Sequence, residues 1–300
     1  MIYINLKGGL GNQMFEYAFA LSLAERLKDE ICLDMSGISN KTHNVYSLDH
    51  FNIGDVNIAD QSALPKTKRF CLKVINSVLC RVDNKFGSKA RYNIEKKCQR
   101  IFNKLGIYIC ADGYVKTYKT NSKIKYADGY FQSEKYFKNV SDKVKNVFTV
   151  KDEILTKNKK IYNKINKTNS VCLHIRRGDY TQFSNHLVCT IDYYKKAMDI
   201  IKKKVKDAEF FIFSDDIPWV KENIKFKYDV NYVEGNNPNY EELRLMYSCK
   251  HFIISNSSFS WWAQYLSKNE EKVVVAPSKW FNNPKQRTDI MQDEWIKIKV

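Results

Sequence analysis

The 300-residue sequence lacks the features that mark several classes of protein. Its eight cysteines form no Cys-x-x-Cys pair and its five histidines are scattered, which argues against a zinc site and a compact disulfide framework. No apolar run approaches the length of a transmembrane helix. Residues 1–6 carry no basic segment followed by an apolar one, so no signal peptide is predicted. We therefore expect a cytoplasmic protein in a reducing compartment.

Acidic residues are scarce beside basic ones, at 33 Asp and Glu against 50 Lys and Arg, which gives a net charge of +17. This balance favours polyanionic partners such as nucleic acid, anionic lipid headgroups or nucleotide diphosphates. The lysines are spread along the chain, so a solvated basic surface accounts for most of the charge. Hydrophobic residues make up 44% of the sequence, enough for a sizeable core, and this excludes a disordered chain.

A buried strand is predicted at residues 171–175, and two adjacent arginines, Arg176 and Arg177, follow it. Ligands of open α/β sheets bind just outside the carboxyl ends of strands. The guanidinium fork matches a diphosphate in charge and geometry. We therefore predict a phosphate site here, with His174 and Asp179 beside the arginines. In the alternative interpretation, the arginines are surface charges and His174 is a hydrogen-bonded core residue.

A glycine loop, Gly-Gly-Leu-Gly-Asn-Gln at residues 8–13, lies between a predicted strand and an amphipathic helix. Glycines let backbone N–H groups approach a ligand, and a helix N-terminus favours anions. No Lys-Ser or Lys-Thr pair follows, so the loop is not a Walker A motif. The structural alternative is a tight turn between strand and helix.

A turn rich in hydroxyl groups, Ser-Asn-Ser-Ser-Phe-Ser at residues 255–260, is predicted between a strand and a helix. Its amides, its hydroxyls and the helix dipole could hold a β-phosphate. Ser257 or Ser258 would also serve as the N-cap, and the two roles are compatible.

Two acidic residues, Asp215 and Asp216, follow a predicted buried strand at residues 209–214. One short acidic pair is poor support for a metal site. Asp216 followed by Pro218 could simply begin a helix.

Three of these stretches together resemble a known family. His-Ile-Arg-Arg-Gly-Asp at residues 174–179 resembles the first motif of the α1,2- and α1,6-fucosyltransferase superfamily. With Gly-Gly-Leu-Gly-Asn-Gln-Met-Phe at 8–15 and Ser-Asn-Ser-Ser-Phe-Ser-Trp-Trp at 255–262, the chain is similar to the bacterial α1,2-fucosyltransferases of glycosyltransferase family 11. The resemblance implies inverting transfer of L-fucose from GDP-β-L-fucose to the 2-hydroxyl of a β-galactoside in an O-antigen-like surface glycan, with no divalent metal and no other cofactor.

The resemblance also implies roles for individual residues. Arg176 is expected to stabilise the departing diphosphate. Our choice of general base is Asp179, because it lies in the same motif near the expected cleft, and its alternative role is an ion pair with Arg177. Glu242, or its neighbour Glu241, is expected to bind guanine or else to be a surface charge. The expected GDP-fucose-binding residues are His174, Arg176, Arg177, Asn12, Asp215, Glu242, Ser257, Ser258 and Phe259, with Gln13 as a further candidate.

Strands alternate with helices in both halves of the chain, which predicts an α/β fold with a parallel sheet in each half. The resemblance implies the GT-B architecture, in which two Rossmann-like domains flank a cleft. A change in composition near residues 150–169 marks the boundary. We expect an N-terminal domain at 1–155 on the acceptor side and a C-terminal domain at 156–300 that binds the GDP-sugar.

Residues 64–105 are strongly basic, with an apolar stripe at helical spacing. The stripe is either core or a helix on a membrane surface, where a lipid-linked acceptor glycan would lie.

Within the enzyme class, the alternatives are another linkage or another GDP-sugar. A different class is a basic nucleic-acid-binding protein, which needs a concentrated basic surface and a reading element. Because the charge is diffuse, we predict no nucleic-acid partner.

Overall fold

A computed structural model describes residues 1–39, 44–59, 65–110 and 113–300, except for the side chains of Asp179 and Thr181. The chain forms two compact units. The first unit comprises Met1–Phe148 and Pro284–Ile290, and the second comprises Thr149–Asn283 and Met291–Val300. The predicted division at residue 155 did not include the return of Pro284–Ile290 to the first unit.

The first unit is built on a five-stranded parallel sheet with the order β3-β2-β1-β5-β4. Its helix α1 is buried over most of its length because apolar side chains surround it. The elements are β1 (Ile2–Lys7), α1 (Leu10–Leu27), β2 (Ile31–Gly37), β3 (Asn57–Ile58), α2 (Lys66–Phe86), α3 (Ser88–Lys104), β4 (Ile107–Cys110), β5 (Lys125–Gly129) and α4 (Ser141–Val147).

The second unit is built on a six-stranded parallel sheet with the order β11-β10-β9-β6-β7-β8. The central strand β6 is buried at every position after its first, as expected when helices cover both faces of a parallel sheet. The elements are α5 (Lys159–Lys167), β6 (Asn169–Ile175), α6 (Ile191–Lys204), β7 (Ala208–Ser214), α7 (Ile217–Asn223), β8 (Val230–Tyr232), α8 (Asn239–Tyr247), β9 (His251–Ile253), α9 (Ser258–Leu266), β10 (Val274–Pro277) and β11 (Ile296–Ile298).

The predicted α/β class with a parallel sheet in each half is confirmed. Trp261 and Trp262 are fully buried on α9 and pack in the core. Among the described residues, no helix combines the length and the apolarity needed to cross a membrane.

Each sheet contains one point at which the strand order reverses. In the first unit the chain builds outward from β1 to β3 and then continues on the other side of β1, so the reversal lies between β1 and β5. In the second unit the reversal lies between β6 and β9. Ligands of open α/β sheets bind at the carboxyl ends of the strands at such a switch point. Two positions in the molecule are therefore candidates for binding sites.

Candidate active site

Arg176 follows β6 directly, at the switch point of the second unit. Its Nη1 lies 2.8 Å from Oδ2 of Asp215, the residue that follows β7. The backbone N–H of Arg177 donates to Oδ1 of the same carboxylate at 2.9 Å. The guanidinium carbon of Arg176 is 5.6 Å from the ring centroid of Tyr180. Asp215 therefore holds both the side chain of Arg176 and the backbone that follows it.

Gly178 leaves the space in which this carboxylate lies. A Cβ atom at residue 178 would be 2.5 Å from Oδ2 of Asp215. That separation is far below van der Waals contact, so any larger residue must displace Asp215 from Arg176.

Arg177 is directed toward α7. Its guanidinium carbon lies 3.3 Å from the ring centroid of Trp219, and its Nε lies 3.4 Å from Oδ2 of Asp216. Asp216 also accepts a hydrogen bond from the backbone N–H of Trp219 at 3.2 Å, which confirms the predicted helix start. The predicted contact of Arg177 with a diphosphate stays a prediction.

Asp179 lies in a short 3₁₀ helix, Gly178–Gln182, immediately after the arginines. Its side chain is outside the part of the structure that is described. Its expected role as general base, and the alternative ion pair with Arg177, both stay predictions.

His174 connects β6 to the serine-rich turn. Its Nδ1 lies 3.1 Å from Oγ of Ser255 and also hydrogen-bonds Oγ of Ser260. The ring centroids of His174 and Phe259 are 6.0 Å apart. Burial, together with the positive charge of Arg176, lowers the pKa of His174 to about 3, so the imidazole is neutral. This arrangement matches the alternative interpretation of a hydrogen-bonded core histidine, and a direct contact with nucleotide stays a prediction.

Sequence reasoning did not assign roles to Ser255 and Ser260. Their hydroxyls lie 3.0 Å apart and together engage His174. The sequence did show a polar residue, His174, in a buried strand, and a turn rich in hydroxyls after another strand. Only the pairing of β6 with β9 shows that His174 and this turn lie beside each other.

The serine-rich turn leads into α9 at the switch point. Ser257 is the N-cap, and its Oγ accepts a hydrogen bond from the backbone N–H of Phe259 at 3.3 Å, which confirms the predicted cap. The positive end of the α9 dipole therefore lies in the turn that follows β9, where an anion is favoured. Ser258 and Phe259 form the first turn of α9.

Glu242 on α8 is electrostatically coupled to this cluster. Burial and the charge of Asp215 raise the pKa of its carboxyl, while Arg176 lowers it, and the result is about 7. The neighbouring Glu241 is fully buried and accepts hydrogen bonds from the backbone of Leu155 and from Asn158, at 3.1 and 2.8 Å. Glu241 has a structural role, which leaves Glu242 as the candidate to bind a ligand.

Asn12 belongs to the first unit, where it lies in the first turn of α1. Its Oδ1 accepts a hydrogen bond from Nε2 of Gln132 at 2.8 Å. Gly8, which precedes it, has a φ of 71°, and a Cβ there would lie 2.5 Å from Nδ2 of Asn12. Gln13 is fully buried and bonds the backbone of Gly8 and Val45 at 2.8 Å each. Gln13 therefore fastens the loop, whereas donor contact by Asn12 stays a prediction.

The described residues contain no group of three or more His, Cys, Asp or Glu side chains arranged to hold a metal ion. The expected independence from divalent metal stays a prediction.

The second switch point thus combines a carboxylate-held arginine, the N-terminus of a helix and a buried titratable glutamate. A family model described as glycosyl transferase family 11 matches residues 1–299. The chain belongs to this family. The resemblance read from the three motifs is confirmed, and the family 11 chain is a glycosyltransferase.

Relatives of this family 11 chain include two proteins of Escherichia coli. An α1,2-colitosyltransferase is 32% identical, with 99% of each chain covered. The O-antigen biosynthesis glycosyltransferase WbnK is 31% identical, over 99% of this chain and all of the relative. A galactoside 2-α-L-fucosyltransferase of Caenorhabditis elegans is 27% identical, over 91% of this chain and 71% of the relative.

Solved structures share the fold of the family 11 chain. The fucosyltransferase NodZ from Bradyrhizobium has a TM-score of 0.52 at 14% identity, over 88% of this chain and 91% of its own. POFUT1 in complex with GDP has a TM-score of 0.50 at 9% identity, over 91% and 97%. At these identities the likeness establishes the α/β fold and no more.

Proposed function

We propose that this glycosyltransferase transfers L-fucose from GDP-β-L-fucose to the 2-hydroxyl of a β-galactoside, with inversion, in the assembly of a surface glycan. The observation that carries the proposal is the placement of Arg176, held by Asp215, at the switch point of the sheet that also presents the N-terminus of α9. This arrangement suits a nucleoside diphosphate leaving group. The names of the bacterial and nematode relatives support the reaction class.

In this reaction the acceptor oxygen forms a bond to C1 of fucose while the bond from C1 to the phosphate oxygen breaks. The electron pair leaves with GDP, and the hydroxyl proton passes to a base, for which Asp179 is our candidate. Arg176 and the amides of residues 257–259 would stabilise the growing charge as preorganised donors. Asp215 acts as a positioning residue for Arg176, and Glu242 accepts hydrogen bonds from guanine N1–H and N2–H₂. No divalent metal is required in this scheme.

A second candidate is transfer of another sugar to the same kind of hydroxyl. It is favoured by the 32% identity to a protein named as an α1,2-colitosyltransferase. The two candidate reactions use the same diphosphate site and differ only in the sugar that is transferred.

The test is GDP release with and without a β-galactosyl disaccharide, in the presence of EDTA. GDP-fucose is compared with GDP-mannose and with the corresponding colitose donor. Release that requires both GDP-fucose and the disaccharide, followed by NMR of the product linkage, is the expected result. Release from the colitose donor alone supports the second candidate. If the folded protein does not bind GDP, both candidates are wrong.

A further inference from the structure

A second cluster of polar side chains lies at the other switch point, between β1 and β5 in the first unit. Lys7, the last residue of β1, places Nζ 2.5 Å from Oδ1 of Asp128 in β5. The same Nζ lies 5.1 Å from the ring centroid of Tyr130. These residues occupy, in the first sheet, the position that Arg176 and the serine-rich turn occupy in the second.

More polar groups converge on this cluster than an ion pair alone requires. Nδ2 of Asn5 and Nδ2 of Asn76 lie 3.5 and 3.4 Å from the two oxygens of Asp128. Glu16 is fully buried and its Oε2 accepts a hydrogen bond from the backbone N–H of Lys7 at 3.0 Å. Its Oε1 is buried with no hydrogen-bond partner among the described residues. A buried polar atom without a partner is costly to a fold, so Oε1 of Glu16 calls for an explanation.

The cluster is accessible and has the chemistry that suits a sugar. The side chain of Tyr130 is 39% exposed, and those of Lys7 and Asp128 are 28% and 12% exposed. A sugar presents an apolar C–H face, which packs on an aromatic ring, and hydroxyls, which both donate and accept hydrogen bonds. An apolar surface with a few convergent polar groups is typical of small-molecule sites.

We propose that Lys7, Asp128 and Tyr130 form the subsite for the terminal galactoside of the acceptor. The inference rests on the proposed function, because it takes the acceptor class from it. Asp128 and Lys7 bind hydroxyls of the sugar, and the ring of Tyr130 packs against its C–H face.

The test measures steady-state constants for both substrates in Asp128→Asn and Tyr130→Ala. We expect the KM for a β-galactosyl disaccharide to rise about tenfold or more in each, because a charge-assisted hydrogen bond or an aromatic contact is lost. The Kd for GDP should stay at its wild-type value. Asp29→Asn is the matched control, since Asp29 makes an ion pair of the same 2.5 Å length with Lys125 at the amino edge of the same sheet.

The outcomes separate this inference from the proposed function. If the wild-type protein does not bind GDP or use GDP-fucose, the proposed function is wrong. If GDP-fucose is used but both variants keep the wild-type KM for the disaccharide, the subsite is wrong. Tyr130→Ala keeps the test decisive even if Asp128→Asn loses its fold, because the ring of Tyr130 is exposed.

A separate observation concerns the outward surface of α2 and α3. The predicted apolar stripe of α2 divides between two environments, because Leu79 is buried whereas Val74 and Val78 are about half exposed. Large apolar side chains are exposed along both helices. We call these exposed apolar side chains the docking face; they are Phe70, Val74, Val78, Phe86, Ile94, Ile101 and Leu105.

The two helices that carry the docking face are rich in cations. Residues 65–105 contain twelve Lys or Arg and two acids, Asp83 and Glu95. Both acids lie against Arg91, at 3.8 and 3.0 Å. Like charge disfavours a second copy of the chain, and nucleic acid would leave the apolar side chains exposed. An anionic bilayer surface accommodates cations and apolar side chains together.

We infer that the docking face binds the surface of an anionic lipid bilayer. Asn76, which contacts Asp128, lies on the same helix α2 as Phe70. Docking through α2 would therefore bring the proposed galactoside subsite close to a lipid-linked acceptor.

The test is co-flotation of the whole protein with vesicles of phosphatidylglycerol and phosphatidylcholine, or of phosphatidylcholine alone. We expect binding to the anionic vesicles only, lost in the double variant Phe70→Ser, Phe86→Ser, while transfer to a soluble disaccharide is unchanged. Equal flotation of the variant, or no flotation of the wild type, overturns the inference. Flotation abolished by salt but unaffected by the double variant indicates a charge effect alone and also contradicts it.

Discussion

Asp215 holds Arg176 through an ion pair of 2.8 Å between Oδ2 and Nη1. Both side chains are about one-fifth exposed, so water weakens the attraction and the pair adds little to the stability of the fold. Its effect is to help fix the direction of the guanidinium.

Replacing Arg176 should nearly abolish transfer. Arg176→Ala removes a donor aimed at the leaving phosphate, and loss of one such donor costs on the order of 100-fold or more in kcat. Arg176→Lys should also fail, since a point charge cannot replace the planar fork. GDP release measures the rate, and thermal unfolding shows that the fold survives. An Arg176→Ala protein with near wild-type turnover would falsify the assignment.

Removing the positioning carboxylate should lower kcat while GDP still binds. In Asp215→Asn the guanidinium loses its ionic partner, and misplacement of a catalytic group can cost about 100-fold. Gly178→Ala should act in the same direction, because its Cβ would lie 2.5 Å from Oδ2 of Asp215. Asp216→Asn is the control, since Asn still caps α7. Equal kcat in all three variants would show that Asp215 does not position Arg176.

GDP binding should depend on the ionisation of Glu242. Its pKa of about 7 leaves part of the population protonated, and guanine donors favour the carboxylate. GDP affinity should therefore rise about tenfold between about pH 6 and about pH 8, relative to Glu242→Gln, as measured by calorimetry. The variant removes this carboxyl and keeps the titration of the phosphate. If GDP affinity depends on pH in the same way in both proteins, Glu242 does not contact guanine.

His174 should make the protein sensitive to acid. Its pKa is about 3 in the folded protein, below the ordinary 6.5, so the unfolded chain takes up the proton first. The contribution of His174 to the stability of the fold is therefore fully present above pH 6.5. Below that pH the free energy of unfolding falls by about 1.4 kcal/mol per pH unit as the pH drops toward about 3. His174→Asn should flatten this part of the profile in denaturant titrations. If both proteins lose stability with the same slope, His174 is protonated at its site.

Two substitutions of Ser257 should separate capping from anion binding. Ser257→Ala loses the cap of α9 and should lower the free energy of unfolding by about 1 kcal/mol. Ser257→Asp keeps a capping oxygen but places a negative charge beside the phosphates, so GDP affinity should fall about tenfold or more. Denaturant unfolding and calorimetry measure the two effects. Unchanged GDP affinity in Ser257→Asp would move the diphosphate away from this turn.

Motifs and hydrophobic periodicity were enough to predict the α/β class and the cap of α9. Both kinds of pattern are read along a single helix or strand, where the spacing of apolar residues decides which side chains are buried. The pairing of Arg176 with Asp215 could not be predicted in this way, because it depends on the register that sets Ile175 beside Ser214. The pairing of Lys7 with Asp128 could not be predicted for the same reason, since it needs β5 to lie next to β1.

The role of Glu241 shows a different limit. Two adjacent glutamates on a helix point in different directions, and only the packing of α8 shows which one lies inside the fold. Sequence spacing predicted the helix but could not decide between the two carboxyls.

The path of Pro284–Ile290 has a consequence for dissecting the protein. This segment belongs to the first unit, while the chain on both sides of it belongs to the second. Within it, Oδ2 of Asp289 accepts a hydrogen bond from the backbone N–H of Tyr114 at 2.8 Å. Cleavage near residue 149 would leave one fragment without this strap and the other with an extra length of chain. Neither half of the molecule can be produced intact as a single uninterrupted stretch of sequence.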